Sequence, residues 1–216
     1  MNQTTAESIL EELHCQYPCS EDEKNFLKFR DPFELLIMTI LSAQTTDAIV
    51  NGLRGELFTA YPGPRALACA DPADVERIIY SAGYYRAKTK SIIGTAKMLM
   101  ENFGGVVPET IEELITLPGV GRKTANIVTN HGFHKTYGIA VDTHVARLSQ
   151  KIGFTKNTDP NKIEKDLLEL FPVKWWNEIN YLLIRHGREI CTAKKPNCKE
   201  CIISHNCQLH NKSGEE

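Results

Sequence analysis

The most informative stretch of the chain reads Leu117-Pro118-Gly119-Val120-Gly121-Arg122-Lys123-Thr124-Ala125. Its proline ends one helix, and its two glycines allow a tight turn whose backbone can approach a ligand closely. The next helix begins with free N–H groups and the positive end of its dipole, which suits a phosphate. The stretch predicts a helix-hairpin-helix over about residues 110–131, which grips a nucleic-acid backbone without reading its sequence. An ordinary corner between two helices is the alternative, and Gly-x-Gly alone does not exclude it.

The lysine of this stretch is a candidate nucleophile. Lys123 falls in the first turn of the predicted second helix, where the helix dipole opposes an ammonium charge, and burial would favour the neutral amine further. A partly neutral amine can attack a sugar carbon and form a Schiff base. The alternative is that Arg122 and Lys123 only bind phosphate, and the local sequence by itself favours that simpler interpretation.

The remainder of the chain reads as helices joined by short turns. Three Asp-Pro pairs each place a capping acceptor before a proline at the first helical position: Asp31-Pro32, Asp71-Pro72 and Asp159-Pro160. The first pair opens a helix over Pro32 to Ser42 that is apolar nearly all round, as in the centre of a bundle. Further helices are predicted over Pro72 to about Ala82 with a left-handed cap at Gly83, Tyr85 to Phe103, Thr110 to Leu117, the hairpin to about His131, Asp142 to Gly153, and Trp175 to His186 with a stop at Gly187. The predicted fold class is all-α.

Composition limits the classes of protein that the chain can represent. The 216 residues are 42% hydrophobic, which is enough for a sizeable core and too much for a disordered chain. Since 25 Lys and Arg face 27 Asp and Glu, any basic surface must be local. The longest apolar run, residues 33–43, is interrupted by polar side chains, so no membrane is expected. The N-terminus lacks a basic-then-apolar signal segment, so we expect a cytoplasmic, nucleoid-associated protein.

Four of the seven cysteines cluster near the C-terminus: Cys191, Cys198, Cys201 and Cys207. In a reducing compartment such a group indicates a metal site rather than disulfides. Four thiolates fit either tetrahedral zinc or a [4Fe-4S] cluster, and the spacing does not decide between them. The scattered Cys15, Cys19 and Cys69 are interpreted as buried free thiols.

Three stretches together resemble the signature of the helix-hairpin-helix DNA glycosylases that carry a C-terminal iron–sulfur cluster. They are the hairpin, Val141-Asp142-Thr143-His144-Val145 downstream of it and Leu41-Ser42-Ala43-Gln44 upstream of it. The resemblance covers nearly the whole chain. It implies that Lys123 is the nucleophile and lyase residue, that Asp142 is the essential carboxylate, and that the four clustered cysteines hold a [4Fe-4S] cluster. It implies a bifunctional enzyme of base excision repair, which removes oxidised pyrimidines from double-stranded DNA and cuts the strand at the abasic site.

Asp142 has a structural role as well. Asp before Thr-His-Val is a good N-cap that accepts from the N–H of His144 or Val145. The two roles are compatible, because a capped carboxylate can still stabilise cationic character at the sugar C1′ or help to deprotonate Lys123.

A glycosylase must flip its target base out of the stack, and side chains fill the gap. By resemblance, Gln44 and Tyr84 lie on the two loops that insert into the DNA. The alternative for Gln44 is an ordinary polar residue at the end of a helix, and the alternative for Tyr84 is a half-buried aromatic residue in a turn. His144 and Asp47 are candidates for the pocket. Seven cations on local loops are predicted to face the DNA phosphates: Arg86, Lys88, Lys90, Arg122, Lys123, Lys194 and Lys195. For Lys88 or Lys90 the alternative is an ordinary charge exposed to solvent.

The predicted organisation is a six-helix domain over residues 25–135 and a discontinuous iron–sulfur domain of residues 1–24 and 136–216, in a monomer. Three other functions stay open. The presence of Lys123 argues against a monofunctional uracil or thymine mismatch glycosylase. The lack of an acidic residue in 38–44 argues against an adenine-specific mismatch glycosylase. A non-catalytic DNA-binding module would bind without a covalent intermediate, and a zinc-dependent regulator would contain a different metal.

Overall fold

The computed structural model describes residues 1–18, 20 and 24–213. Within these residues the chain forms twelve α-helices and no β-strand, which confirms the all-α prediction. The helices are α1 (Gln3–Gln16), α2 (Pro32–Leu41), α3 (Asp47–Ala60), α4 (Pro64–Ala68), α5 (Pro72–Ile78), α6 (Tyr85–Asn102), α7 (Ile111–Leu114), α8 (Arg122–Ile127), α9 (Thr143–Ile152), α10 (Pro160–Leu170), α11 (Trp176–Glu189) and α12 (Gln208–Ser213).

Contacts divide the chain into two compact units, Met1–Lys24 with Gly138–Glu216, and Asn25–Tyr137. The first unit contains α1 and α9–α12, and the second contains α2–α8. The described part of the second unit therefore holds seven helices, where we predicted six. Two of the seven, α4 and α7, are short helices of five and four residues.

Helix α2 forms the centre of the second unit, as its apolar sequence predicts. The Asp31 side chain accepts a hydrogen bond from the backbone N–H of Glu34, and every residue from Phe33 to Leu41 is buried. The helix packs against α3, α6 and α8. The one buried charge on it, Glu34, is paired with Arg30 at 2.9 Å and Arg54 at 2.8 Å. This pairing offsets the cost of removing a carboxylate from water.

Several helix ends are confirmed and others differ. Helix α6 ends before Gly104 and Gly105, both at positive φ. Helix α7 is capped by Thr110 but ends at Leu114, three residues early. Helix α8 passes into a π-helical turn at Val128–Gly132.

The prediction of a left-handed helical cap at Gly83 was wrong. Helix α5 ends at Ile78 and is followed by a 3₁₀ turn over Tyr80–Ala82. Gly83 has φ 62° and ψ 151°, a combination that only glycine adopts readily, so the chain leaves the turn extended instead of capping a helix.

In the first unit, α9 is capped by Asp142 and ends at Gly153, and α10 is capped by Asp159, as predicted. The predicted stop of α11 at Gly187 was wrong, since the helix continues to Glu189. A Cβ on Gly187 would lie 2.8 Å from Nδ1 of His144 on α9. This glycine therefore allows two helices to approach closely and does not end one.

The interpretation of the scattered cysteines as buried thiols was wrong for Cys15 and Cys69, which are both exposed. Cys15 is near the end of α1, whose buried face is formed by Ala6, Ile9, Leu10 and Leu13. Cys19 lies outside the described residues. None of the described helices combines the length and the apolar character that crossing a membrane requires.

Candidate active site

The glycine hairpin is held tightly against α6. Gly119 has φ 78°, and a Cβ there would lie 2.8 Å from the Cβ of Ser91. The Thr95 hydroxyl of α6 donates to the carbonyl oxygen of Pro118 at 2.7 Å. A side chain at position 119 would both strain the backbone and collide with α6, so the sequence requires glycine here.

The other side of the hairpin is open. Gly121 is the N-cap of α8 in an extended conformation, and no heavy atom lies within 4 Å of the position that its Cβ would occupy. Arg122 and Lys123 follow in the first turn, and both are exposed. The side chain of Lys123 is therefore open to solvent. Ala125 and Asn126 anchor the helix behind it, so the lysine sits on a fixed backbone at an accessible surface.

Gln44 and Tyr84 occupy two turns of the same unit and share an uncommon backbone conformation. Gln44 has φ 53° and Tyr84 has φ 48°, both in the left-handed region that side chains disfavour. Gln44 is exposed, and Tyr84 is 72% exposed, so it is not the half-buried aromatic of the alternative interpretation. The two turns present both side chains to solvent.

An aromatic cluster beside Tyr84 was not anticipated from the sequence. Tyr80 is 68% exposed, and its ring centroid lies 4.9 Å from that of Tyr85. The Arg86 guanidinium lies 5.6 Å from the centroid of Tyr85. Lys90 is exposed in α6. The prediction of Lys88 as a surface cation was wrong, because it is buried and points its ammonium group at neighbouring turns.

Asp142 acts as the predicted N-cap of α9. Its Oδ1 accepts from the backbone N–H groups of His144 and Val145, both at 2.8 Å. The side chain is half-buried. One carboxylate oxygen is thus committed to the helix, and the backbone fixes the orientation of the carboxylate.

The first turn of α9 is tied to the cysteine segment through Arg147. Its guanidinium lies 3.3 Å from Nδ1 of the half-buried His144 and donates to the carbonyl oxygens of Gly187 and Cys191. Neither Arg147 nor Gly187 was singled out from the sequence, because neither belongs to a recognisable local motif. Their contacts join residues far apart in the chain.

The four clustered cysteines line one largely apolar pocket in the first unit, together with His186, Ile152 and Ile203 among others. Cys191 and Cys207 are buried, and Cys198 and Cys201 are half-buried. Burial raises the pKa of Cys201 to about 11 and also raises the pKa of Cys191. A positively charged metal centre would supply the stabilisation that thiolates lack in such a pocket.

His186 is the buried polar residue of this pocket. Burial, assisted by the charge of Arg147, lowers its pKa to about 4, so its ring is neutral at physiological pH. Its Nδ1 lies 3.2 Å from the Tyr17 hydroxyl and its Nε2 lies 3.5 Å from Sγ of Cys201. Among the described residues, no three His, Cys, Asp or Glu side chains are close enough to hold a single metal ion, so the pocket alone does not identify what it binds.

Lys194 and Lys195 lie between the first two cysteines of the cluster and are both exposed. The Thr192 hydroxyl donates to the carbonyl oxygen of Lys195 at 2.7 Å, which closes the loop on itself. The loop therefore presents two cations from a constrained backbone.

Comparison with known proteins assigns the family. The pattern of the HhH-GPD superfamily of base excision DNA repair proteins matches residues 37–173, which include the hairpin, both turns and Asp142. The chain belongs to this superfamily. It is therefore an enzyme of base excision DNA repair, as the sequence resemblance implied.

Individual superfamily members support the assignment over nearly the full chain. The chain is 47% identical to endonuclease III of Synechocystis sp. over 92% of this chain and 88% of that protein. It is 42% identical to endonuclease III of Thermotoga maritima over 87% of this chain and 88% of that protein. A solved structure of a trapped covalent intermediate between endonuclease III and DNA, an estranged-adenine complex, matches with 37% identity, 99% coverage of both chains and a TM-score of 0.92.

Proposed function

We propose that this superfamily member excises oxidised pyrimidines from double-stranded DNA through a Schiff base on Lys123 and then cuts the strand by β-elimination. The observation that carries the proposal is the placement of Lys123. Its amine is exposed in the first turn of α8, directly after a hairpin whose Gly121 leaves open space for a ligand. The similar endonuclease III structure is that of a trapped covalent intermediate with DNA, which supports the proposal.

The chemistry needs one nucleophilic amine and several proton transfers, including protonation of the departing base and of O4′ when the sugar ring opens. The neutral amine of Lys123 attacks C1′ as the glycosidic bond breaks and its electron pair leaves with the base. Loss of a proton and opening of the sugar ring give an imine between Nζ and C1′. The imine acidifies the C2′ proton, and its removal expels the 3′ phosphate by cleavage of the C3′–O bond. Hydrolysis of the imine then releases Lys123.

Asp142 supplies the second functional group of the proposal. A carboxylate fixed by two backbone hydrogen bonds is oriented before the substrate arrives, which is the condition for effective electrostatic stabilisation. It can stabilise cationic character at C1′ while the base departs, or accept the proton that Lys123 loses.

Gln44 and Tyr84 are proposed to fill the space that a flipped base leaves. Gln44 can hydrogen-bond the orphaned partner base, and the Tyr84 ring can stack in the duplex. Both side chains are exposed on turns with constrained backbone, so little further ordering is needed when they enter DNA. Five residues are proposed to contact phosphates: Gly119, Gly121, Arg122, Lys194 and Lys195. His144 is proposed to line the pocket for the damaged base.

A three-substrate assay tests the proposed function. Duplexes carrying thymine glycol, uracil opposite guanine, or an abasic site are incubated with the protein, beside an undamaged duplex of the same sequence. We expect strand cutting at thymine glycol and at the abasic site, and none at uracil or in undamaged DNA. If the protein removes a base but leaves the strand intact on every lesion, it is a monofunctional glycosylase. If it binds the duplexes and forms no product, it is a non-catalytic DNA-binding module.

The four-cysteine pocket is proposed to hold a [4Fe-4S] cluster through Cys191, Cys198, Cys201 and Cys207. Four thiols on one apolar pocket are a donor set that suits it. When bound, the cluster ties the C-terminal segment together and fixes the loop that carries Lys194 and Lys195. Base excision and strand cutting need no electron transfer, so its role is structural.

Purified protein is expected to be brown, with about four irons and four labile sulfides per chain. Cys198→Ala should lose the iron and lower the melting temperature, because one corner of the cluster becomes unligated. Cys15→Ala, at an exposed thiol outside the pocket, is the matched control and should keep the full iron content. Colourless, active wild-type protein with one zinc per chain would contradict the cluster.

We also propose that the chain works as a monomer on nucleoid DNA in the cytoplasm, since each functional group named above is supplied by one chain. Sedimentation of the protein with and without a lesion duplex measures this, and a one-to-one complex is the expected result.

A further inference from the structure

Two turns of the Asn25–Tyr137 unit hold their most exposed functional side chains in a disfavoured backbone conformation. Gln44 follows α2 and Tyr84 precedes α6, and both lie at positive φ. Neither residue is a glycine, so something in the surrounding structure must stabilise the two turns. The hydrogen bonds of one buried side chain connect the two turns.

Lys88 occupies the first turn of α6 and is only 6% exposed. Its Nζ donates to Oγ1 of Thr45 and to the carbonyl oxygen of Ala82, both at 2.6 Å. The Thr45 hydroxyl in turn donates to the same Ala82 carbonyl. Thr45 immediately follows Gln44, and Ala82 is two residues before Tyr84. Three hydrogen bonds thus join the two turns at a single buried point.

The nature of the buried group makes this arrangement unusual. The acceptors of the ammonium group are a hydroxyl and a carbonyl, and among the described residues no carboxylate pairs with it. Burial lowers the pKa of Lys88, which reflects the cost of keeping an ammonium charge out of water. An apolar side chain would fill the same space without that cost. The benefit of the lysine must therefore lie in what its hydrogen bonds hold in place.

We propose that Lys88 is a positioning residue that clamps the Gln44 turn to the Tyr84 turn and thereby fixes the spacing of the two side chains that enter the DNA. The inference rests on the proposed function in one respect, that Gln44 and Tyr84 occupy the gap left by a flipped base. Lys88 itself does not touch the substrate. Its effect is confined to complexes in which the base is flipped, since undamaged duplex engages the phosphate contacts alone.

Binding measurements on two duplexes test the clamp. One duplex carries a tetrahydrofuran abasic analogue and the other is undamaged, and the discrimination is the ratio of their dissociation constants. Lys88→Met keeps the length and the buried stem but removes every hydrogen bond from Nζ. We expect it to lower the discrimination by about tenfold, or about 1.4 kcal/mol, with unchanged affinity for undamaged DNA. Lys97→Met, an exposed lysine on the same helix, is the charge-matched control, and any loss it causes should affect both duplexes equally.

A second pair of variants keeps the test decisive if Lys88→Met folds poorly. Thr45→Val removes the hydroxyl that links Lys88 to the Gln44 turn and should lower the discrimination in the same direction. Thr45→Ser retains the hydroxyl and should restore it. If Lys88→Met and Thr45→Val both keep the wild-type discrimination and melt at normal temperatures, the clamp is wrong.

A double-variant background separates this inference from the proposed function. Gln44→Ala with Tyr84→Ala should itself lose discrimination, and adding Lys88→Met to it should then have little further effect. If the background loses discrimination and Lys88→Met still lowers it by the same factor, Lys88 acts elsewhere and the clamp is wrong. If the background discriminates like wild type, the inserting role of the two residues is wrong and the clamp falls with it, while strand cutting at the abasic site still reports on Lys123.

Discussion

Lys123→Gln is expected to abolish both borohydride trapping and strand cutting, with a rate loss of roughly 10³-fold or more. Borohydride reduces the imine between Nζ and C1′ to a stable amine, so trapping reports the Schiff base directly. Glutamine has no nucleophilic nitrogen, because its amide lone pair is delocalised. Binding of a lesion duplex should persist, since Gly119, Gly121 and the backbone of α8 are unaffected. Gel electrophoresis of the reduced complex and a binding titration measure the two properties.

Lys123→Arg distinguishes the need for a nucleophile from the need for charge. The guanidinium keeps the positive charge at an exposed position but stays protonated, so it should bind DNA and fail to form the adduct. Lys90→Gln, which removes an exposed cation from α6, is the control and should trap as well as wild type once the DNA concentration is raised. Full trapping by Lys123→Gln would assign the nucleophile to another residue.

Asp142→Asn is expected to lower the rate of base excision by about 10² to 10³-fold with little change in folding. The amide oxygen of asparagine can accept the hydrogen bonds that Oδ1 receives from His144 and Val145, so the cap of α9 survives. The negative charge is lost. Single-turnover kinetics on thymine glycol, with thermal unfolding as the check on the fold, measure both effects.

The same variant separates two roles for the carboxylate. If Asp142 stabilises cationic character at C1′ during base departure, Asp142→Asn should react almost normally with a preformed abasic site. If it accepts the proton of Lys123, trapping at the abasic site should fall in parallel with excision. Asp142→Ala, which also removes the cap, should unfold at a lower temperature than Asp142→Asn. Unchanged excision by Asp142→Asn would exclude both roles.

Local signals in the sequence predicted the capped helix starts and the buried central helix. The caps at Asp31, Asp142 and Asp159 form hydrogen bonds to backbone N–H groups within three residues, so their partners are fixed by chain connectivity. The apolar run after Asp31 is buried throughout, because it has no polar face to turn toward water. The hairpin glycines likewise reflect a requirement that is visible locally, a turn too tight for a side chain at position 119.

Long-range packing accounts for what the sequence did not predict. Gly187 resembles a residue that ends a helix, but its role is to let α11 and α9 pack closely. This role depends on the packing of the two helices and is not visible in the local sequence. Lys88 lies between Arg86 and Lys90 in the sequence and looks like a surface cation, yet its acceptors are 43 and 6 residues away in the chain. The exposure of Lys123 also depends on packing, because the buried residues of its short helix begin at Ala125.

The most direct test of the central claim is to locate the covalent bond in the wild-type protein. The adduct formed with an abasic-site duplex in the presence of borohydride is digested with protease and nuclease, and the modified peptide is sequenced by mass spectrometry. Our account predicts a reduced sugar remnant on Nζ of Lys123 and on no other residue. A remnant on a different lysine or on the N-terminal amine, or no adduct under conditions in which the strand is cut, would contradict it.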